Sequence, residues 1–185
     1  MPRYDADWIQ TMLRPELRGS PAAIEIVADI GIRPGDIVAD IGCGPGFLTI
    51  PAAAAVGPTG RIDAIDLEPS MLEVVRQQAT GAGLTNIITH RPTDSRLPLL
   101  DWTVDVTICA LLLHDLEDPA AMLQEISRVT RPDGKIAIVE WVPDINDSRP
   151  NRIPADRIAH LLSAIGRTAG VVIPLPPAQY LIVGK

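Results

Sequence analysis

The 185-residue sequence predicts an α/β fold, a mostly parallel sheet with helices on both faces, and three observations carry that reading. The stretch IVADIGCGPGFLTI at 37–50 runs from a short apolar segment through Asp40 to glycines at 42, 44 and 46 and then to a helix-compatible segment. That order is strand, tight turn, helix. Further apolar runs at 62–65, 86–90, 104–112 and 135–141 alternate with segments of helical spacing, the pattern of strands joined by crossover helices. The run VDVTICALL at 104–112 is apolar almost throughout, as a central strand buried on both faces requires.

Apolar residues make up 46% of the chain, enough to fill a two-sided sheet core, and the length leaves no room for a second domain. The expected division is an N-terminal segment, 1–20, followed by one domain, 21–185. Lys and Arg number 16 against 23 Asp and Glu, a net charge of −7 without a basic run. Counterion release from nucleic acid needs clustered cations, so no nucleic-acid partner is expected. The two cysteines, Cys43 and Cys109, have neither CxxC nor metal-ligand spacing, which argues against a disulfide framework or a metal site and for a reducing cytoplasm. MPRYDADWIQ holds no apolar signal core, and no run approaches a membrane span. A soluble cytoplasmic protein is the expectation.

Taken in order, residues 1–20 place Tyr4, Trp8, Ile9, Met12, Leu13 and Leu17 loosely at helical spacing, interrupted by Pro15. Two readings stay open: a helix on the sheet edge, or a lid over the ligand cleft. Residues 21–30 form a helix with Pro21 in its first turn and Gly31 at its end. The first strand follows, and after the glycine turn a helix is expected from Gly46 to Val56, where Pro51 near the first turn costs little. The second strand, 62–65, ends in Asp66; a helix from Pro69 through Thr80 turns Met71, Leu72, Val75 and Ala79 to the core. The third strand, 86–90, leads to the polar loop Arg91 to Ser95, with His90 read as a surface group. The fourth strand spans 104–112. Asp118 and Pro119 cap and begin a helix to Val129, residues 131–134 turn, and the fifth strand occupies 135–141. A loop at 143–151, a helix at 154–165 and strands at 171–173 and 180–183 complete the chain.

The glycine turn brings main-chain N–H groups close to whatever lies against it, since no Cβ intervenes. A dinucleotide fingerprint is spaced G-x-G-x-x-G and seats a pyrophosphate. Here the third glycine comes one residue early, and Asp40 precedes the first by two. A carboxylate there repels a pyrophosphate and suits a cation, such as the amino group of a methionine moiety carried beside a sulfonium. Asp66, at the tip of the neighbouring strand and about 20 residues beyond the turn, is placed to accept both hydroxyls of a ribose.

The sequence Asp40, Ile41, Gly42, Cys43, Gly44, Pro45, Gly46 resembles the first motif of the class I methyltransferases that use S-adenosylmethionine, and the stretch around Asp66 resembles their second. That resemblance, nearest to the small ubiquinone/menaquinone-type branch, runs from about Gly31 to Lys185. It implies a Rossmann-like doubly wound sheet of seven strands with the last inserted antiparallel. It also implies that Leu67 packs on the adenine and that Asp94, in the loop with Ser95, accepts the adenine amine. The cofactor set is then Asp40, Gly42, Gly44, Gly46, Asp66, Leu67, Asp94 and Ser95, with S-adenosylmethionine as methyl donor and S-adenosylhomocysteine as product. Asp105, in the fourth strand, has a structural pairing in such proteins.

His114 follows the fourth strand's C-terminal end, where ligands of open parallel sheets bind. One reading makes it a loop or capping group; the other a general base, for which imidazole is suited, with Asp115 orienting the ring. Glu140 and Trp141 end the fifth strand at the same rim, in place to line an acceptor pocket. The expected acceptor is a small molecule taking a methyl on O, N or C. The short loop after Trp141 leaves the pocket to be closed by residues 1–20 or by a second copy of the chain. Two other classes compete: a nicotinamide-dependent oxidoreductase, and a protein that binds the cofactor without turnover.

Overall fold

A computed structural model describes residues 6–14, 16, 21–92, 96–144 and 151–185. Its elements in chain order are α1 (Ala6–Leu13), α2 (Ala23–Ile30), β1 (Ile37–Ile41), α3 (Thr49–Val56), β2 (Arg61–Ile65), α4 (Pro69–Gly81), β3 (Ile87–His90), β4 (Val104–Ala110), a 3-10 turn (Leu113–Asp115), α5 (Pro119–Val129), β5 (Thr130–Trp141), α6 (Ala155–Ala164), β6 (Ala169–Leu175) and β7 (Gln179–Gly184). The strands form one sheet ordered β3-β2-β1-β4-β5-β7-β6. Every pairing from β3 to β5 is parallel, and β7 runs antiparallel between β5 and β6. The expected seven-stranded sheet with an antiparallel last strand is what the chain builds.

Strand periodicity divides the core in two. On one face Val38, Ile62, Val106, Ala137 and Val139 pack with Ile26, Val27 and Ile30 of α2 and Ala52 and Val56 of α3. On the other, Ala39, Ile41, Ile136 and Ile138 meet Leu123, Ile126 and Val129 of α5 and Ile158 and Leu162 of α6. A net apolar central strand such as β4 follows from covering both faces.

The strand order reverses between β1 and β4, which are paired directly. At such a switch point the crossovers leave to opposite faces, so a crevice opens beyond the strands' carboxyl ends.

Several boundaries differ from the sequence reading. α3 starts at Thr49, three residues late, because Gly46 has φ +100° and residues 43–48 turn first; helical bonding nonetheless begins with Ile50 N–H donating to Gly46 O at 3.1 Å. β4 ends at Ala110, because Leu111 has φ +55° and leaves the extended region. β5 starts at Thr130 rather than Lys135: Val104 pairs with Thr130 and Val106 with Lys135, so residues 131–134 bulge within a strand instead of closing a free turn. Buried Arg167 holds that bulge, donating to the carbonyls of Arg131, Pro132 and Thr130, each at 3.0 Å. Asp105 accepts from Ile37 N–H at 2.8 Å and pairs with Arg131, tying β4 to the entry of β1.

Candidate functional site

The glycine turn is fastened beneath and covered above, with Gly44 and Gly46 buried and Gly42 half-buried. Ile65 O, at the end of β2, accepts both Gly42 N–H at 2.9 Å and Cys43 N–H at 3.0 Å. Gln78 of α4 donates its amide to Pro45 O. Gly42 has φ +69°, and a Cβ there would meet Leu112 Cδ2 at 2.9 Å, so the turn and the chain leaving β4 approach more closely than a side chain permits. A Cβ on Gly44 would meet Met12 Cε at 3.1 Å. Helix α1 therefore lies against the turn.

Asp40 sits low in this arrangement. It is only 2% exposed, and its Oδ2 accepts the Thr49 hydroxyl at 2.6 Å. Thr49, nine residues on at the start of α3, is a partner that spacing alone did not single out. Asp66 stands at the tip of β2 with Oδ2 accepting Gly44 N–H at 2.8 Å and Oδ1 accepting Glu68 N–H at 2.9 Å. One carboxylate thus joins the two strand tips. Burial pushes its pKa up, and the two amides oppose that shift. A carboxylate oxygen takes more than one donor, so both oxygens keep acceptor capacity for a ligand. Leu67 beside it is 62% exposed, an apolar surface at the rim. The Cys43 thiol is pushed well up by burial, then by Asp40 and Asp66, which keeps it protonated and inert. Asp94 and Ser95 lie outside the described residues.

His114 occupies the 3-10 turn after β4, and its orienting carboxylate is Glu140 rather than Asp115. Nδ1 lies 2.8 Å from Glu140 Oε2, whereas Nε2 and Asp115 Oδ1 are 3.6 Å apart, beyond hydrogen-bond reach. The Asp115 side chain is 74% exposed and Glu140 fully buried, which explains the choice: the buried carboxylate needs the donor. Position in the chain pointed to the neighbour; β4 and β5 being adjacent brings Glu140. Trp141 follows, with the Arg152 guanidinium 5.4 Å from its ring centre. His90 is likewise more than a surface group, since its Nε2 lies 2.8 Å from Oδ1 of buried Asp63, which Arg61 also meets at 2.9 Å. Among the described residues, no group of three His, Cys, Asp or Glu side chains is placed to hold a metal ion.

A sheet of order 3-2-1-4-5-7-6, a glycine turn at its switch point and acids at the tips of β1 and β2 define the class I methyltransferase architecture. Residues 39–138 match the family described as a methyltransferase domain, and the chain belongs to that family. Two curated relatives are each 34% identical: the demethylmenaquinone methyltransferase of Lactobacillus johnsonii, over 59% of this chain and 45% of its own length, and the ubiquinone/menaquinone biosynthesis C-methyltransferase UbiE of Hydrogenovibrio crunogenus, over 60% and 44%. The chain spans less than half the length of these relatives. The crystal structure of a SAM dependent methyltransferase from Aquifex aeolicus superposes with TM-score 0.86 over 98% of both chains at 24% identity. The [4+2]-cyclase SpnF shares the fold at TM-score 0.69 and 22% identity, over 80% of this chain and 58% of its own, so the fold by itself does not settle the reaction.

Proposed function

We propose that this chain binds S-adenosylmethionine at the β1/β2 tips and transfers its methyl group to a small-molecule acceptor held near the ends of β4 and β5. The observation that carries the reading is Asp66, fixed by the amides of Gly44 and Glu68 beside an exposed Leu67. A rigid acceptor pair beside an apolar surface matches a ribose diol joined to an adenine.

The residues fit the donor part by part. Asp66 takes the ribose hydroxyls, Leu67 covers the adenine, and Asp94 and Ser95 are assigned to the adenine's polar edge. The Gly42, Gly44 and Gly46 backbone admits the methionine moiety. Asp40, buried under the turn, supplies the negative field that favours its amino group over a phosphate. When bound, S-adenosylmethionine presents a methyl group already activated by the sulfonium. The protein's part is to align the acceptor and exclude water, terms worth on the order of 7 kcal/mol or more. His114 is assigned as the base that receives the acceptor's proton. Helix α1, with Met12 against Gly44, is assigned as the cover; a second copy of the chain is the other means of closing the pocket.

Relatives named for quinone precursors support an aromatic hydroxylated acceptor within the O, N or C range. The acidic charge and the absence, among the described residues, of any helix long and apolar enough to cross a membrane are consistent with a cytoplasmic enzyme on small molecules. The test is methyl transfer from radiolabelled donor to a panel of phenols, quinols and amines, with parallel titrations of S-adenosylhomocysteine and NADH. Tight NADH binding without S-adenosylhomocysteine binding would instead make the chain an oxidoreductase, and cofactor affinity with no transfer to any acceptor a binding protein.

A further inference from the structure

We infer that the carboxamide of Gln179, on β7, recognises the methyl acceptor, and that the acceptor carries, besides the atom to be methylated, a neutral planar edge with an N–H and a C=O side by side, as in a lactam. This rests on the methyl-transfer reading and adds to it a specificity-determining residue and a chemical class.

The sheet sets the position of Gln179. It pairs with Trp141 of β5 on one side and Leu175 of β6 on the other. One residue further along, Val142 N–H donates to Ala178 O at 2.8 Å, while the Trp141 N–H goes to Glu140 Oε2 at 3.3 Å. Trp141 and Gln179 are therefore a non-hydrogen-bonded pair, the kind whose facing side chains come closest. Alternation along β7 puts Gln179 on the face of Leu181, which packs in one core with Val139 and Leu175. Tyr180 falls on the other face, opposite Glu140 and so on the side of His114. Because β7 runs antiparallel to β5, it enters the sheet where β5 leaves it, at the rim assigned to the acceptor.

A strand position flanked by tryptophan and leucine calls for an apolar side chain. Gln179 is nonetheless only 2% exposed, and among the described residues neither its Oε1 nor its Nε2 has a hydrogen-bond partner. The amide of Asn86 shows the ordinary case, with Nδ2 donating to Ala53 O at 2.9 Å and to Gly57 O at 2.8 Å. Burying an amide with both ends idle costs stability, and a methionine of similar length would fill the space without that cost. The carboxamide thus holds donors and an acceptor that the fold itself does not use.

Its chemistry selects the group that would complete it. A carboxamide offers N–H donors and a carbonyl acceptor in one plane. An isolated ketone would leave Oε1 idle, and a carboxylate would offer it no donor. An ammonium or other ion would lose its hydration in a frame of Trp141, Leu175 and Leu181 with a neutral partner. A lactam edge meets both ends at once through two parallel hydrogen bonds, and its flat ring suits the half-buried Trp141 beside it. The Trp141 ring is itself held, with the Arg152 guanidinium 5.4 Å from its centre.

The test is calorimetric titration of two probes, quinolin-2-one and N-methylquinolin-2-one, into the full chain in the presence of S-adenosylhomocysteine. The second probe keeps the ring and carbonyl and lacks the N–H. The wild type is expected to bind the lactam about 10- to 100-fold more tightly than its N-methyl analogue. In Gln179→Met that preference should collapse to within about 3-fold, with S-adenosylhomocysteine affinity unchanged and the thermal midpoint raised rather than lowered. A wild type that binds S-adenosylhomocysteine but takes up neither probe, or takes both equally, overturns this inference and leaves the methyl-transfer reading standing. A preference that persists in Gln179→Met, or a midpoint that falls in that variant, overturns the role of Gln179. A wild type that binds neither S-adenosylmethionine nor S-adenosylhomocysteine overturns the methyl-transfer reading, and the acceptor assignment with it.

Discussion

Asp66 is worked on from two sides: burial disfavours its charge, and two main-chain amides favour it. Burial wins, lifting its folded pKa above the ordinary aspartate value of 3.8. The folded state therefore holds that proton more tightly than the unfolded chain. Its stabilising contribution is complete below the ordinary value and is lost as pH rises through the folded one. In urea unfolding over that pH range, the stability advantage of the wild type over Asp66→Asn is expected to shrink as pH rises; an advantage that grows would reverse the sign. At the same scale, Gly42→Ala combines a left-handed backbone with a contact on Leu112, whereas Gly57→Ala, at φ +67° with nothing within 4 Å, carries backbone strain alone. The expected costs are about 2–4 kcal/mol for the first and about 1–2 kcal/mol for the second; equal unfolding midpoints would remove the close approach to Leu112. Asp66 and the glycines could be found from spacing, because a strand, a turn and the next strand lie within one local unit. Glu140 could not be paired with His114 in that way, because 26 residues and a whole helix separate them. The one available signal was an acid ending an apolar strand at the same rim.

Elements were legible where a single physical cause set them. The α5 start follows from Asp118, whose Oδ1 accepts Ala121 N–H at 3.0 Å, with Pro119 next. Asp118→Ala should cost about 1 kcal/mol by thermal or chemical unfolding, and no loss would show the cap to be idle. The beginning of β5 was not legible, because Arg131 to Gly134 has turn composition while tertiary contacts hold it in the sheet. A Cβ on Gly134 would meet Asp105 O at 2.8 Å, so the bulge is pressed against β4, and Arg167 satisfies its carbonyls from the other side. Burial lowers the Arg167 pKa, yet a guanidinium stays charged and its donors are used. Arg167→Met is expected to cost about 3 kcal/mol by leaving those carbonyls without a donor. Arg167→Lys should recover less than half, since one ammonium cannot span the set. Full recovery by lysine would mean that charge, rather than the planar fork, holds the bulge.

For the molecule as a whole, the alternation of apolar runs gave the order of strands and helices, and the apolar character of 104–112 marked it as a central strand; that it lies beside β1 is set by the pairing in the folded sheet. The insertion of β7 between β5 and β6 came from family resemblance, since local pattern does not determine pairing order. The fold sets the glycine turn at the switch point, where ligands of open parallel sheets bind, and a ligand bound only by the folded chain must stabilise it. S-adenosylhomocysteine at about 100 times its Kd should add about 2.7 kcal/mol, raising Tm by about 5–10 °C, with no comparable shift from NADH. The most direct test of the central claim is calorimetric titration of S-adenosylhomocysteine into the wild type and Asp66→Ala. Binding to the wild type weakened by about 1.5–3 kcal/mol in the variant is the result the β2-tip assignment requires. Equal affinity in the two proteins, or no binding to the wild type, would contradict it.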